Sequence, residues 1–246
     1  METITKEPDN ENKPTGTGRK KGKTVAEVCQ EIKKLVYYNV LAPGQKVFYQ
    51  DLAKRLNVSV TPVVQALKVL EHSNLVRYES NKGYFVGEIT ETEAKELYQA
   101  REALETYAIP LIIENLTKEK LESMRRAFTE HSPAVTPESR GMLLLKDVQF
   151  HLRLVEYSGN QVIYNLLNDV FEQIYLRYRP EYLGKGRIRE SDLEHRAILK
   201  SLDRGDAAEA IRLVKDHIWK GMDGIIRNIP NERNMVFYQI RELHQR

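Results

Sequence analysis

The chain has 246 residues, of which 41% are hydrophobic and 30% are charged, and its net charge is +3. This length allows one large or two smaller domains with buried cores, and the composition excludes collagen-like, coiled-coil-rod and wholly disordered chains. No segment approaches the ~18 consecutive apolar residues of a membrane span, and residues 1–23 lack the apolar stretch of a signal peptide. A single cysteine, Cys29, excludes an internal disulfide and zinc sites with several thiolates. We therefore expect a cytoplasmic protein with no membrane partner.

Charge is unevenly distributed along the chain. Residues 1–86 contain 14 Lys and Arg against 9 Asp and Glu, whereas residues 87–246 contain 24 against 26. Within the first part, residues 1–23 are polar and show no apolar periodicity, which predicts a disordered tail. The basic excess of the first third is one indication of a nucleic-acid partner.

The residues that follow the tail predict a small helical module with a hairpin. Apolar periodicity predicts a helix over residues 24–38, a short helix over 50–56 and a third helix with Thr61 as its N-cap. Two strands come next, joined by a turn at residues 80–83. A short helix, a tight turn, a second helix and a hairpin form a winged helix-turn-helix, which we assign to residues 24–87.

The third predicted helix has an exposed face that fits the major groove of DNA. The glycine at the hairpin tip lets the backbone approach a phosphate closely. The alternative interpretations are an ordinary helical domain with a solvated charged face and a winged helix that binds another protein. The predicted DNA contacts are Thr61, Val64, Gln65, Lys68, Lys82, Gly83 and Arg55.

Three motifs of this region stand in a characteristic order: Pro-Gly at 43–44, LAKRLNVSVTPVVQAL at 52–67 and NKGYFV at 81–86. They resemble the GntR family of bacterial transcription regulators, and the resemblance implies a double-stranded DNA operator as partner. Two arginines of the family's second motif are Val60 and Val64 here. An arginine can bind guanine through two hydrogen bonds, and a valine cannot. We therefore expect an operator unlike the usual one of the family, with weakened DNA binding as the alternative.

The remainder of the chain is predicted to be helical. Thr90 and Glu93 form a capping-box pair that begins the first of these helices. We assign residues 88–230 to an effector and dimerisation domain and 231–246 to a C-terminal helical extension. The predicted fold class is therefore mainly α, with a winged helix-turn-helix followed by an all-helical bundle. The later helices are predicted at 117–131, 138–158, 161–180, 189–204 and 206–228, with a break at 132–137.

Four side chains of the helical part form a candidate metal site, which we call the four-residue set: Asp147, His151, His195 and His217. Asp147 and His151 are four residues apart and share a helix face that also carries apolar residues. One carboxylate and three imidazoles suit a divalent transition metal such as Zn, Ni, Mn or Fe. Spacing alone favours a simpler interpretation, in which the aspartate pairs locally and the histidines are ordinary core or surface residues.

Short motifs around the set favour the metal site over this simpler interpretation. The chain reads DVQFH at 147–151, SGN at 158–160, EHRAIL at 194–199 and GDA at 205–207. These motifs resemble the FCD effector domain of FadR-type regulators within the GntR family. The resemblance implies that the four-residue set binds a metal and that a small carboxylic acid binds in the same cavity.

A carboxylate effector requires a cationic partner. Arg101 is the first candidate, and an ion pair with Glu105 at i+4 is its alternative role. Arg177 is the second candidate, with a surface position as the alternative. Glu194 adjoins His195 but is expected to point elsewhere on its helix, so we expect no general base beside the set.

Taken together, these patterns predict a homodimeric, DNA-binding transcription regulator that is not an enzyme. A dimer suits the function because its two-fold symmetry matches a palindromic operator. Two alternatives stay open: a metal-sensing repressor without an organic effector, and a metallo-enzyme whose ligands activate water. The sequence does not determine the operator, the effector, the metal or the sign of regulation.

Overall fold

The computed structural model describes residues 22–128, 140–178 and 185–229. The predicted extension at 231–246 and all but the last two residues of the predicted tail at 1–23 lie outside the described residues. Within the described part, an N-terminal unit of helices and a small sheet precedes a C-terminal unit of helices. The predicted fold class is confirmed.

The N-terminal unit packs three helices around a common core. The central α3 uses an apolar stripe at helical spacing, with Val63 and Leu67 completely buried. Cys29 of the first helix is also buried and is free. The helices are α1 (Val25–Tyr37), α2 (Tyr49–Leu56) and α3 (Val60–His72).

The start of α3 differs from the prediction. Its N-cap is Ser59, and Thr61 lies in the first helical turn. Asn57 ends α2 in the left-handed region at φ 54°, within the predicted tight turn, and α3 begins two residues earlier than predicted. Pro62 still costs no hydrogen bond, because the first four N–H groups of a helix have no partner within the helix.

A three-stranded antiparallel sheet completes the N-terminal unit. Its strands are β1 (Lys46–Val47), β2 (Val76–Glu79) and β3 (Gly83–Val86), in the spatial order β1-β3-β2. β2 and β3 form the predicted hairpin, with Arg77 opposite Phe85. Helices, tight turn and hairpin together form a winged helix-turn-helix.

The C-terminal unit is a helical bundle around one apolar core. The predicted capping box of Thr90 and Glu93 is present at the start of α4. The predicted helix over 161–180 ends at Tyr175, and the predicted break at 132–137 lies outside the described residues. The helices are α4 (Glu91–Asn115), α5 (Lys118–Phe128), α6 (Arg140–Glu156), α7 (Gln161–Tyr175), α8 (Lys185–Asp203) and α9 (Ala207–Ile226).

None of the helices in the described ranges combines the length and the apolar character that crossing a membrane requires.

The two units meet at the end of α7. Leu176 is part of the core of the N-terminal unit. The buried Arg177 donates from Nη1 to Oε1 of Glu93 at 2.8 Å. Arg177 and the backbone of Asn74 both pack closely against Gly87. A Cβ at this position would lie 2.3 Å from the carbonyl oxygen of Asn74 and 3.0 Å from Cδ of Arg177, so only glycine fits here. The two residues that follow α7 are thereby in contact with both units.

Candidate metal centre and effector cavity

The structure brings the four-residue set together inside the C-terminal unit. Asp147 and His151 lie one turn apart on α6, whereas His195 comes from α8 and His217 from α9. One nitrogen or oxygen of each side chain lies within 4.8 Å of the corresponding atoms of the others. The three histidines are buried, so the set forms an enclosed group of nitrogen and oxygen donors.

Distances within the set fit a single bound ion. Nε2 of His151 lies 2.9 Å from Nε2 of His217. Oδ1 of Asp147 lies 3.3 Å from Nε2 of His195 and 3.8 Å from Nε2 of His217. Donors that each stand about 2.1 Å from one ion are separated from one another by roughly 3 to 4 Å. The spacing and the chemistry of the set therefore both suit a divalent transition metal.

Two glutamates orient the imidazoles from outside the set. Oε2 of Glu105 lies 2.6 Å from Nδ1 of His151, and Oε2 of Glu194 lies 2.8 Å from Nδ1 of His217. A carboxylate at Nδ1 favours the tautomer with the proton on Nδ1 and leaves a lone pair on Nε2. Both Nε2 lone pairs then point at the same small volume, where a cation between them removes their repulsion.

The position of Glu194 corrects an expectation. On its own helix Glu194 does point away from His195, but it reaches across to His217 on α9. It also accepts from Nζ of Lys220 at 2.9 Å and pairs with Arg187. Sequence reasoning missed this role because adjacency along α8 says nothing about which residue of α9 lies opposite.

Burial keeps two of the imidazoles neutral. It lowers the pKa of His217 to about 3, although the hydrogen bond with Glu194 opposes the shift. Burial also lowers the pKa of His151, and the charge of Arg101 adds to the effect. Neutral imidazoles are the form that binds a metal.

The carboxylates of the site stay ionised. Burial by itself would raise their pKa values, but hydrogen bonds and neighbouring positive charge outweigh it. The pKa of Asp147 lies well below its ordinary value because of the hydrogen bond with His195 and the adjacent imidazoles. His151 and Arg101 together hold the pKa of Glu105 at about 2. The set therefore offers an anionic oxygen beside its nitrogens.

A cavity of about 670 Å³, including its mouth toward solvent, lies beside the set. The hydroxyl of Ser191 donates to Oδ1 of Asp147 at 2.8 Å, and the hydroxyl of Tyr175 donates to Oδ2 at 3.5 Å. Tyr98 and Arg187 also line the space. The cavity wall therefore carries polar and aromatic side chains next to the four-residue set.

Arg101 lines the cavity and also forms the ion pair that was its alternative role. Its Nε donates to Oε1 of Glu105 at 2.6 Å, and its Cζ lies 4.7 Å from the ring centroid of Phe171. Its buried Nη2 makes no hydrogen bond within the described ranges. An unpaired donor on a buried guanidinium is costly, so an anionic ligand at this point is favoured.

The prediction for Arg177 is corrected. This arginine does not line the cavity, and its guanidinium is bound to Glu93 at the contact between the units. Tyr175 faces the cavity two residues earlier, but α7 has ended before Arg177. Arg187 is the second arginine that lines the cavity, and no motif distinguished it in the sequence.

The residues predicted to contact DNA lie on α2, on α3 and on the hairpin of β2 and β3. Val64 and Gly83 are half-buried, and Gly83 has a φ of 96°, which favours glycine. At the hairpin tip, Lys82 forms an ion pair with Glu79 at 2.9 Å. The exposed residues of the predicted set are Thr61, Gln65, Lys68, Arg55 and Lys82.

Comparison with known proteins identifies the class. Residues 24–86 match the family described as "Bacterial regulatory proteins, gntR family", and residues 96–219 match the FCD domain. The chain belongs to the GntR family of DNA-binding transcription regulators and carries an FCD domain.

Individual relatives agree with this class. The chain is 26% identical over 188 residues to the uncharacterized HTH-type transcriptional regulator YdhC of Bacillus subtilis, covering 76% of this chain and 84% of the relative. It is 24% identical over 192 residues to the gluconate operon transcriptional repressor of the same species, covering 75% and 79%. The solved structure of E. coli McbR/YncC has a TM-score of 0.68 at 19% identity, covers 82% of this chain and 97% of that one, and shows the same fold.

The shifted imidazoles predict how stability depends on pH in the metal-free protein. His217 has an ordinary pKa of 6.5 and a folded pKa of about 3, so between these values the unfolded chain binds the extra proton. The contribution of His217 to the free energy of unfolding is therefore fully present above pH 6.5 and declines as the pH falls below this value. Each such group contributes a slope of up to about 1.4 kcal/mol per pH unit. Urea unfolding in chelator at pH 7, 6 and 5 measures the slope.

Substitution assigns this slope to the buried imidazole. His217→Asn is expected to flatten it, whereas His72→Asn, on an exposed position of α3, serves as the matched control. Equal slopes for the wild type and His217→Asn contradict the prediction.

Proposed function

We propose that the four-residue set holds a divalent transition metal and that a small carboxylic acid, bound beside it, changes the affinity of the protein for its DNA operator. The observation that carries the metal proposal is the pair of Nε2 atoms 2.9 Å apart, each on an imidazole backed by a buried or half-buried glutamate. Asp147 adds an anionic donor, and the set suits Zn, Ni, Mn or Fe.

The metal, when bound, supplies a Lewis-acidic position to which a carboxylate oxygen can bind. The chain's own residues do the rest. The two outer glutamates hold the imidazoles in place, and the guanidinium of Arg101 offers Nη2 to the anion. Ser191 and Tyr175 fix the carboxylate of Asp147 from the cavity side. One relative is named as the repressor of a gluconate operon, which supports a small organic acid as the class of effector.

We also propose that the protein acts as a homodimer in the cytoplasm. Two N-terminal units related by two-fold symmetry match the two half-sites of a palindromic operator. The C-terminal unit exposes large apolar side chains that suit a contact between copies, among them Tyr107, Leu193 and Trp219.

Removing ligands tests the metal proposal. We expect His195→Ala and His217→Ala to abolish bound metal, because each deletes a donor from the enclosed set. Glu105→Gln is expected to weaken metal binding by about 10- to 100-fold, because it weakens the hold on His151. Metal analysis after dialysis, followed by chelator competition, measures both effects.

His72→Ala is the matched control for these variants and should keep the wild-type metal content. Full occupancy in His195→Ala and His217→Ala would refute the assignment of the site.

A screen of small carboxylic acids tests the effector proposal. We expect an acid of this class to raise the melting temperature of the metal-loaded protein, by an amount equivalent to about 2.7 kcal/mol at 100 times its Kd. The shift should disappear with chelator and in Arg101→Met, because both anchors of the carboxylate are needed.

Release of DNA separates the effector proposal from its alternatives. If metal alone releases the operator and no acid changes the result, the protein is a metal-sensing repressor. If the protein consumes the acid, it is a metallo-enzyme instead.

The third proposal concerns the residues that contact the operator. We propose that Thr61, Gln65 and Lys68 contact DNA from α3, and that Lys82, Gly83 and Arg55 add contacts with the DNA backbone. Val64 can contact a thymine methyl group but cannot read guanine.

Binding to DNA selected from a random pool tests this proposal. Gln65→Ala is expected to cost about 1–3 kcal/mol on the selected sequence and to relax one base preference. Lys82→Ala should weaken binding to all sequences and lower the salt dependence by about one phosphate contact. Tight, specific binding of the wild type to the operator consensus of arginine-bearing relatives would contradict it.

A further inference from the structure

One face of the last turns of α7 contacts the candidate metal centre. Phe171 and Tyr175 are four residues apart and therefore share this face. The ring of Phe171 lies against the guanidinium of Arg101, and the hydroxyl of Tyr175 donates to Asp147. Any ligand that contacts Arg101 or Asp147 therefore lies next to this part of α7.

The adjacent face of the same turns contacts the N-terminal unit. Glu172 forms an ion pair with Lys33 of α1, and Leu176 is 6% exposed within the N-terminal core. α1 in turn packs against α3, the helix proposed to read DNA. Residues one position apart on α7 are thus held by different units.

Arg177 joins the end of α7 to the start of α4. Its Nη1 donates to Glu93, and its Nε donates to the carbonyl oxygen of Gln173 at 3.0 Å. The backbone N–H of Ile89, in the connection between the units, donates to the carbonyl oxygen of Arg177 at 3.4 Å. α4 carries Arg101, so two helices that line the cavity meet at this one side chain.

We propose that this junction, residues 172–177 with Glu93, transmits occupancy of the cavity to the N-terminal unit. The inference rests on the proposed function, since it requires a ligand at the four-residue set. A ligand that displaces Tyr175 or Arg101 also displaces the neighbouring turns of α7 or α4. Because packed interfaces change between discrete arrangements, such a displacement shifts the N-terminal unit between positions rather than deforming it.

Hydrogen–deuterium exchange of the full chain tests the junction, with Zn²⁺ alone as the probe and a chelator as reference. In the wild type, Zn²⁺ should slow exchange in α6, α8 and α9 and also change exchange in α3. Arg177→Met keeps an apolar stem but loses the contact with Glu93. It should retain the first effect and reduce the second by at least about fivefold.

Two further variants control the comparison. Arg177→Lys restores a positive charge opposite Glu93 and should recover part of the effect on α3. Arg153→Met removes an exposed arginine that pairs with Glu156, and it should behave as the wild type. The inference is overturned if Zn²⁺ leaves the exchange of α3 unchanged in the wild type. It is also overturned if Zn²⁺ changes the exchange of α3 equally in the wild type and in Arg177→Met.

Failure of the metal proposal gives a different result, namely no Zn²⁺ effect on α6, α8 and α9 in the wild type. Scanning calorimetry in the presence of a chelator then tests whether the junction couples the two units. The wild type should unfold in one transition, and Arg177→Met should unfold in two or at a lower temperature, because the contact with Glu93 no longer couples the two units. A single transition at an unchanged temperature in Arg177→Met overturns the inference without any metal.

Discussion

The candidate metal site depends on two imidazoles whose Nε2 atoms face each other at 2.9 Å inside the C-terminal unit. In a buried site this arrangement is unfavourable for neutral nitrogens that both present lone pairs, and it becomes favourable with a cation between them. The glutamates behind His151 and His217 maintain the arrangement by holding the protons on the opposite nitrogens. Asp147 and His195 complete a group of donors that belongs to three different helices.

The packing of the helices also links the four-residue set to the rest of the molecule. Glu105 accepts from both Arg101 and His151, so a residue that faces the cavity and a residue of the four-residue set share one carboxylate. α4 and α7 extend from the cavity to the contact between the two units, where Arg177 bonds to Glu93. Because Arg177 is buried at this contact, removing Glu93 would leave its positive charge without a partner and would destabilise the contact between the units.

The helical periods and the turn residues were sufficient to predict most of the fold. Capping at Thr90 and the apolar stripe of α3 are local properties of the chain, and the structure has both. The start of α3 at Ser59 was missed, because Ser and Thr are both favourable N-cap residues and the sequence does not distinguish between Ser59 and Thr61. The prediction that Arg177 faces the cavity was wrong, because its spacing from Tyr175 does not reveal where α7 ends.

The sequence by itself predicted the class of protein and the order of its main helices and strands, and the resemblance of its motifs singled out the four residues of the candidate metal site. Tertiary structure decided which residues stand behind those donors and which arginine faces them. Glu194 reaches His217 from 23 positions away, and Glu105 reaches His151 from 46. Contacts between helices depend on how the helices pack, and no local pattern encodes that packing.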